Sequence, residues 1–174
     1  YAKRTVVCVA DVSQPSAREQ LLAEVHSKLG PVSCLVHSAA ALSGGELRYR
    51  DREVSPTVAT NLLAPIELTR LTLDDLAETR GAVVFLASTA GLVAFPYTSL
   101  YCATKHGLVG FAESIRHELK AQGIHVMVAY PPMTDTQMTR PMAEAVGYAS
   151  RRMARTDDVG KRLVAALMAR RRTY

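Results

Sequence analysis

Four apolar runs constrain this chain more than anything else in it: "RTVVCVA" (4–10), "SCLVHSAA" (33–40), "GAVVFLAS" (81–88) and "IHVMVAY" (124–130). None alternates polar with apolar residues, as a strand with one wet face would. Each reads as a strand buried on both faces, the pattern of a parallel sheet covered by helices. The intervening segments have helical spacing. Residues 15–29 carry Leu21, Leu22, Val25 and Leu29, with Pro15 in the first turn and Gly30 just past the end. Further helices are expected over about 52–78, over 100–122 closed by Gly123, and over 156–171, where Thr156 is a candidate N-cap ahead of Asp157 and Asp158. Strand and helix in alternation make a right-handed, doubly wound α/β sheet, and 174 residues with 48% apolar content supply one core, so a single domain over 1–174 is expected. Such sheets bind ligands beyond the carboxyl ends of their strands, where Asp11, Ser38 to Ala40, Ser88 and Pro131 all fall.

Charge and cysteine usage narrow the function classes. The net charge is +5, but the basic residues are scattered except at Arg151-Arg152 and in "ARRRTY", so no nucleic-acid stripe is present. Those clusters read as solvated helix ends rather than as a contact with phosphate or an acidic membrane surface. Cys8, Cys34 and Cys102 are far apart, and two lie in apolar runs, so they read as small core residues of a reducing, cytoplasmic compartment. No metal-ligand spacing, signal-peptide pattern or membrane-length apolar stretch occurs.

The chemistry concentrates in "YCATK". Tyr101 and Lys105 stand at i and i+4, so on a helix they share one face. A free phenol titrates near 10, too high for proton exchange at neutral pH, and a nearby ammonium favours the phenolate. Tyr101 is thereby a candidate general acid–base, and Ser88, closing the preceding strand, is placed to hydrogen-bond a carbonyl oxygen that Tyr101 protonates. Taken alone, Tyr/Lys pairs at this spacing are common on helix surfaces, and Ser88 would be a turn residue.

The combination is more specific. Tyr101, Lys105, Ser88 thirteen residues before the tyrosine, and Asn61 in "VATNLLAP" resemble the short-chain dehydrogenase/reductase family in identity and order. "ADVSQP", "LVHSAA" and "YPPMTDT" extend the resemblance over nearly the whole chain. It implies a Rossmann-like fold and an NADP- or NAD-dependent oxidoreductase, with NADPH favoured. It implies that Tyr101 gives a proton to a ketone oxygen, that Lys105 lowers its pKa and holds the nicotinamide ribose, that Ser88 polarises the carbonyl, and that Asn61 keeps a water leading to solvent. Asp11 and Val12 would meet the adenine, Ser38, Ala39 and Ala40 the cofactor's ribose side, and Pro131, Thr134 and Thr136 the nicotinamide amide. "DVSQ", "KLGPV", "SGGEL" and "VAYPPMTDT" look like the branch that reduces 3-ketodihydrosphingosine, with 3-oxoacyl thioester reductases close behind, so a lipid-like ketone is the implied substrate. Met133, Met138 and Met142 would lie in a substrate lid, unless they are ordinary helix-face packing. Members often pair through the tyrosine helix and the one before it, which implies a homodimer or homotetramer.

Two departures matter. The family's Asn-Asn-Ala-Gly reads His37-Ser38-Ala39-Ala40, and His37 is expected to make a local strand-end hydrogen bond rather than to catalyse or to bind metal. The family's first strand, glycine-rich turn, helix and second strand have no counterpart before Tyr1, so the sheet is expected to lack two strands. That would leave run 4–10 without a neighbour and one face of run 33–40 open to water. A truncated reductase domain is the reading favoured, with a non-catalytic α/β module used in assembly as the alternative.

Overall fold

The computed structural model describes residues 5–42, 44–46, 54–145, 147 and 153–174. Arg4, the expected helix start at 52–53, Arg151 and Arg152 lie outside these residues.

Three parallel strands, β1 (Cys34–His37), β2 (Ala82–Leu86) and β3 (His125–Ala129), pair in the order β1-β2-β3. The register sets His37 beside Phe85 and Leu86 beside Ala129, so the carboxyl ends are level. The sheet continues past β3: the Val128 amide donates to the Arg172 carbonyl at 3.0 Å, and the Tyr174 amide to the Val128 carbonyl at 3.1 Å. The helices are α1 (Pro15–Leu29), α2 (Val54–Val58), α3 (Ala64–Leu71), α4 (Leu73–Glu78), α5 (Ser99–Leu119), α6 (Arg140–Ala145) and α7 (Thr156–Met168).

Successive side chains of β2 and β3 point to opposite faces, and both faces are covered. Val83, Phe85, Val126 and Val128 pack with Leu76 of α4 and with Leu108, Ala112, Ile115 and Leu119 of α5. Val84 and Met127 face the other way, onto Ala166, Leu163 and Leu167 of α7. Each large side chain buried this way contributes about 1.5–3 kcal/mol, which is why α5 is held firmly against the sheet. Past α5 a short 3₁₀ turn, Lys120–Gln122, ends at Gly123 with φ 76°, a left-handed residue that suits glycine.

Several expectations change. Residues 5–10 form no strand, and Val7 and Val9 are 80% and 96% exposed. β-branched residues cannot hold a strand without a partner for their N–H and C=O groups, and none pairs with them among the described residues. The same opening reaches β1, where Val36 is 45% exposed and Cys34 is also exposed. Of the three cysteines only Cys102 is therefore a core residue. The second helical region is not continuous: α2 passes into a π-helical turn, Ala59–Leu63, before α3, and Thr72 breaks the chain ahead of α4. The Thr72 hydroxyl donates to the Leu68 carbonyl at 2.8 Å, a local bond that competes with helix continuation. Thr156 is the first residue of α7 rather than its cap, and Arg155 precedes it with no side-chain cap; Asp157 and Asp158 do occupy the first turn. α6 carries Met142, in the segment expected to be either a substrate lid or helix-face packing.

Candidate active site

The site is assembled where β2 ends. Ser88 follows that strand in extended conformation, and its Oγ accepts the Ala90 N–H at 3.1 Å, capping the 3₁₀ turn Thr89–Gly91. That turn lies against α5 so closely that a Cβ on Gly91 would stand 2.9 Å from the Lys105 carbonyl oxygen, and only glycine fits. Tyr101 is in the first turn of α5, half-buried, and Lys105 lies one turn on with its Nζ 5.6 Å from the Tyr101 ring centroid. Lys105 is 3% exposed, and its ammonium donates to the Leu86 carbonyl at 2.8 Å.

Burial sets the electrostatics. It pushes the Tyr101 phenol above its ordinary value, while the Ser88 side chain works the other way by favouring the phenolate. Lys105 does not set the direction of that shift: its ammonium lies over the ring and turns to the Leu86 carbonyl, so the expected lowering of Tyr101 is not what this geometry gives. Burial also depresses Lys105, to about 8, which brings a lysine into the range where it titrates near neutrality.

Asn61 occupies the π-helical turn and is 1% exposed. Its Oδ1 accepts the Ala41 N–H at 2.7 Å, and its Nδ2 donates to the Ala41 carbonyl at 2.8 Å and to Thr104 Oγ1 at 3.2 Å. Both amide hydrogens are thus spent on protein, and the side chain acts as a clamp between the loop after β1 and helix α5. The expected water would have to be held by other atoms of this residue.

Of the remaining expected residues, Ser38 to Ala40 and Pro131 to Thr136 follow β1 and β3, whereas Asp11 and Val12 follow a segment that forms no strand. Ser38, Ala39 and Ala40 follow β1, the first two exposed, and lead into clamped Ala41. Asp11 is exposed and its Oδ1 accepts the Ser13 N–H at 3.0 Å; the Ser13 hydroxyl, and after it this N–H, hold its carboxyl below the usual range. The Val12 carbonyl accepts from Nη1 of buried Arg18 at 2.7 Å. After β3, Pro131 precedes a loop in which Thr134 Oγ1 donates to the Pro132 carbonyl at 2.7 Å and the hydroxyls of Thr136 and Thr139 are 2.9 Å apart. The Ala87 amide donates to the Ala129 carbonyl at 2.9 Å, which joins the start of this loop to the strand end that carries Ser88. Ser88, Tyr101, Lys105 and Asn61 are brought together around the start of α5; Asp11 and Val12 are not joined to them and bond instead to Ser13 and Arg18. Met138 is exposed, and Met133 and Met142 are partly so.

His37 is buried and accepts no local bond. The Thr69 hydroxyl gives its proton to the Pro65 carbonyl at 2.7 Å, so it accepts from His37 Nε2 at 2.9 Å. The ring stacks on Phe85 at 4.9 Å, and burial lowers its pKa to about 4. His37 thus joins β1 to α3, a long-range role that strand-end position alone could not show. Thr104, inside "YCATK", and Gly91, three residues past Ser88, were not singled out in the sequence; a small polar residue beside the lysine and a glycine before the helix were the available signals. Among the described residues no group of three or more His, Cys, Asp or Glu could hold a metal, and no helix is long and apolar enough to cross a membrane.

Comparison with known proteins adds the following. Residues 2–147 match the short chain dehydrogenase family. The chain is 35% identical to 3-ketodihydrosphingosine reductase of Bos taurus over 93% of its length and 52% of that protein's. It is 29% identical to 3-oxoacyl-[acyl-carrier-protein] reductase of Escherichia coli over 77% of its length and 56% of the relative. The chain thus spans about half the length of the curated relatives it matches. Among solved structures, a short-chain dehydrogenase from Streptomyces avermitilis superposes with TM-score 0.87 at 22% identity, covering 100% of this chain and 71% of that one. One from Sphingobium yanoikuyae in complex with NADPH gives 0.82 at 19%, covering 94% and 64%. These two likenesses establish the Rossmann-type fold.

Proposed function

The chain belongs to the short-chain dehydrogenase family, and on that premise we propose that it carries the acid–base centre of an NAD(P)-dependent reductase acting on a ketone. The observation that carries this reading is the convergence of Ser88, Tyr101 and Lys105 at the junction of β2 and α5, with an ammonium buried beside a half-buried phenol. This lysine loses solvation and is held by one carbonyl, at a cost in stability that supports a functional reason for its place.

The nicotinamide end of the cofactor fits what is present. Lys105 uses one of its three N–H donors on Leu86, which leaves two for a ribose diol. Bound there, NADPH or NADH supplies the hydride. Tyr101 then gives its phenolic proton to the ketone oxygen, and Ser88 donates a hydrogen bond to the same oxygen as charge develops on it. Both hydroxyls must reach one atom, and the influence of Ser88 on Tyr101 supports their being neighbours. Pro131, Thr134 and Thr136 would border the carboxamide, Ser38 to Ala40 the ribose side, and Asp11 and Val12 the adenine.

The substrate proposed is a lipid-like ketone, 3-ketodihydrosphingosine or a 3-oxoacyl thioester, by likeness to relatives so named. Exposed Met138 beside α6 gives an apolar tail a deformable surface. The unpaired segment 5–10 and the open face of β1 support the reading of one domain whose sheet takes further strands between them. Self-association through α5 is proposed as well. The substrate class is tested by following NADPH oxidation by the full-length protein with 3-ketodihydrosphingosine and with a 3-oxoacyl thioester in parallel. Turnover of the sphingoid ketone alone assigns that branch, and turnover of neither removes the lipid-ketone reading.

A further inference from the structure

Thr104 lies between the tyrosine and the lysine, is 2% exposed, and has no place in the chemistry described so far. Its Oγ1 accepts an N–H from Asn61 at 3.2 Å and donates to the Tyr101 carbonyl at 2.8 Å. The same Asn61 amide grips both backbone groups of Ala41 at 2.7 and 2.8 Å. One buried hydroxyl thus connects three segments: the loop after β1, the π-helical turn, and the first turn of α5. Asn61 reaches α5 from the π-helical turn Ala59–Leu63.

We propose that Thr104 is a positioning residue for Tyr101: its hydroxyl fixes the rotation of the first turn of α5 and so holds the phenol against Ser88. This rests on the reading of Tyr101 as the acid, but the geometry makes its own demands. The Tyr101 carbonyl is held from within its helix, and the acceptor for Asn61 is held from outside it, so the hydroxyl resists both axial slip and rotation of that turn. A methyl in its place leaves an Asn61 N–H buried without an acceptor and removes the tie. Lys105, bonded to Leu86, still anchors the following turn, so the freedom gained falls on Tyr101 itself.

The test needs neither cofactor nor substrate. Tyrosine labelled at Cζ with ¹³C is introduced into this chain, and the Tyr101 resonance, assigned by its loss in Tyr101→Phe, is titrated in Thr104→Val, Thr104→Ser, Ser88→Ala and Thr104→Val/Ser88→Ala. Loss of contact with Ser88 disfavours the phenolate, so Thr104→Val is expected to raise the Tyr101 midpoint by about half a pH unit or more, and Thr104→Ser to restore it. Because Thr104 acts through the Ser88 contact, the double variant is expected to shift no further than Ser88→Ala alone. Should the valine variant fail to fold, Thr104→Cys, with a similar volume and a weaker donor, carries the same titration. A native Tyr101 midpoint in folded Thr104→Val or Thr104→Cys, or fully additive shifts in the double variant, overturns the proposal. In the full-length protein the expected counterpart is a loss of about tenfold in kcat with KM unchanged. Failure of the ketone-reductase reading would show as turnover unaffected by Tyr101→Phe, and leaves the titration result standing separately.

Discussion

The Lys105 ammonium donates to the Leu86 carbonyl oxygen at 2.8 Å, which ties helix α5 to the last residue of β2, two positions before Ser88. This bond explains how a charged side chain stays at 3% exposure. It also implies that the site is bought with stability. Lys105 is depressed from 10.5 to about 8, so the unfolded chain binds a proton that the folded chain has released between those values. Stability should therefore rise with pH through that window, the full cost being present below pH 8. Lys105→Met is expected to stabilise the chain at pH 7 by about 2 kcal/mol after loss of the Leu86 bond, with the gain shrinking toward pH 10.5. Urea unfolding of both proteins at pH 7 and pH 10 checks this; equal stability at pH 7 removes the claim of a costly buried ammonium.

His37 sets a dependence at the acid end. Its folded value of about 4 lies below the ordinary 6.5, so as pH falls from 6.5 to 4 the unfolded chain takes up a proton first and stability drops, by about 3 kcal/mol at most. His37→Phe keeps the ring stack on Phe85 without the titration. Its stability should decline less than that of the unaltered chain over this interval, as measured by denaturant midpoints at pH 7, 5.5 and 4.

Gly91 lies in the turn after Ser88 and is packed tightly against helix α5. An alanine Cβ would meet the Lys105 carbonyl oxygen at 2.9 Å and Val109 Cγ2 at 3.0 Å. Neither the helix backbone nor the packed valine can give way freely, so Gly91→Ala should cost about 1–3 kcal/mol. Because the displaced turn begins at Ser88, activity of the full-length protein should fall more than the folded fraction does. Thermal unfolding together with turnover per folded molecule separates the two effects.

Asn61→Leu tests the clamp. It removes the acceptor for the Ala41 N–H and the donors to Ala41 and Thr104 within a buried space, and should destabilise by about 2–4 kcal/mol. Amide hydrogen exchange at Ala41 should accelerate well beyond that of β3, whereas an unchanged protection factor there would show that the loop is held by something else.

The sheet was legible because β2 and β3 are buried on both faces, which leaves uninterrupted apolar runs in the sequence. Run 4–10 has the same look, yet Val7 and Val9 stand in water: an apolar run records what a strand is suited to, and pairing depends on a neighbour that residues 5–10 do not find. Tyr101, Lys105 and Ser88 were readable through spacing along one helix and one strand end. The Asn61–Thr104 contact was not, since it joins a π-helical turn that no periodicity announces to a residue 43 positions away. His37 looked like a local strand-end residue because its partner, Thr69, lies 32 residues away. The electrostatics of the pair were also beyond sequence, where i,i+4 spacing brings an ammonium near a phenol but does not show that burial outweighs it.

The central claim is that Tyr101 protonates the substrate carbonyl. The most direct measurement is single-turnover NADPH oxidation by the full-length protein with 3-ketodihydrosphingosine, comparing the unaltered enzyme with Tyr101→Phe. The account predicts a loss of about a hundredfold or more in the rate of the chemical step, with cofactor binding retained. A Tyr101→Phe rate equal to that of the unaltered enzyme would contradict it.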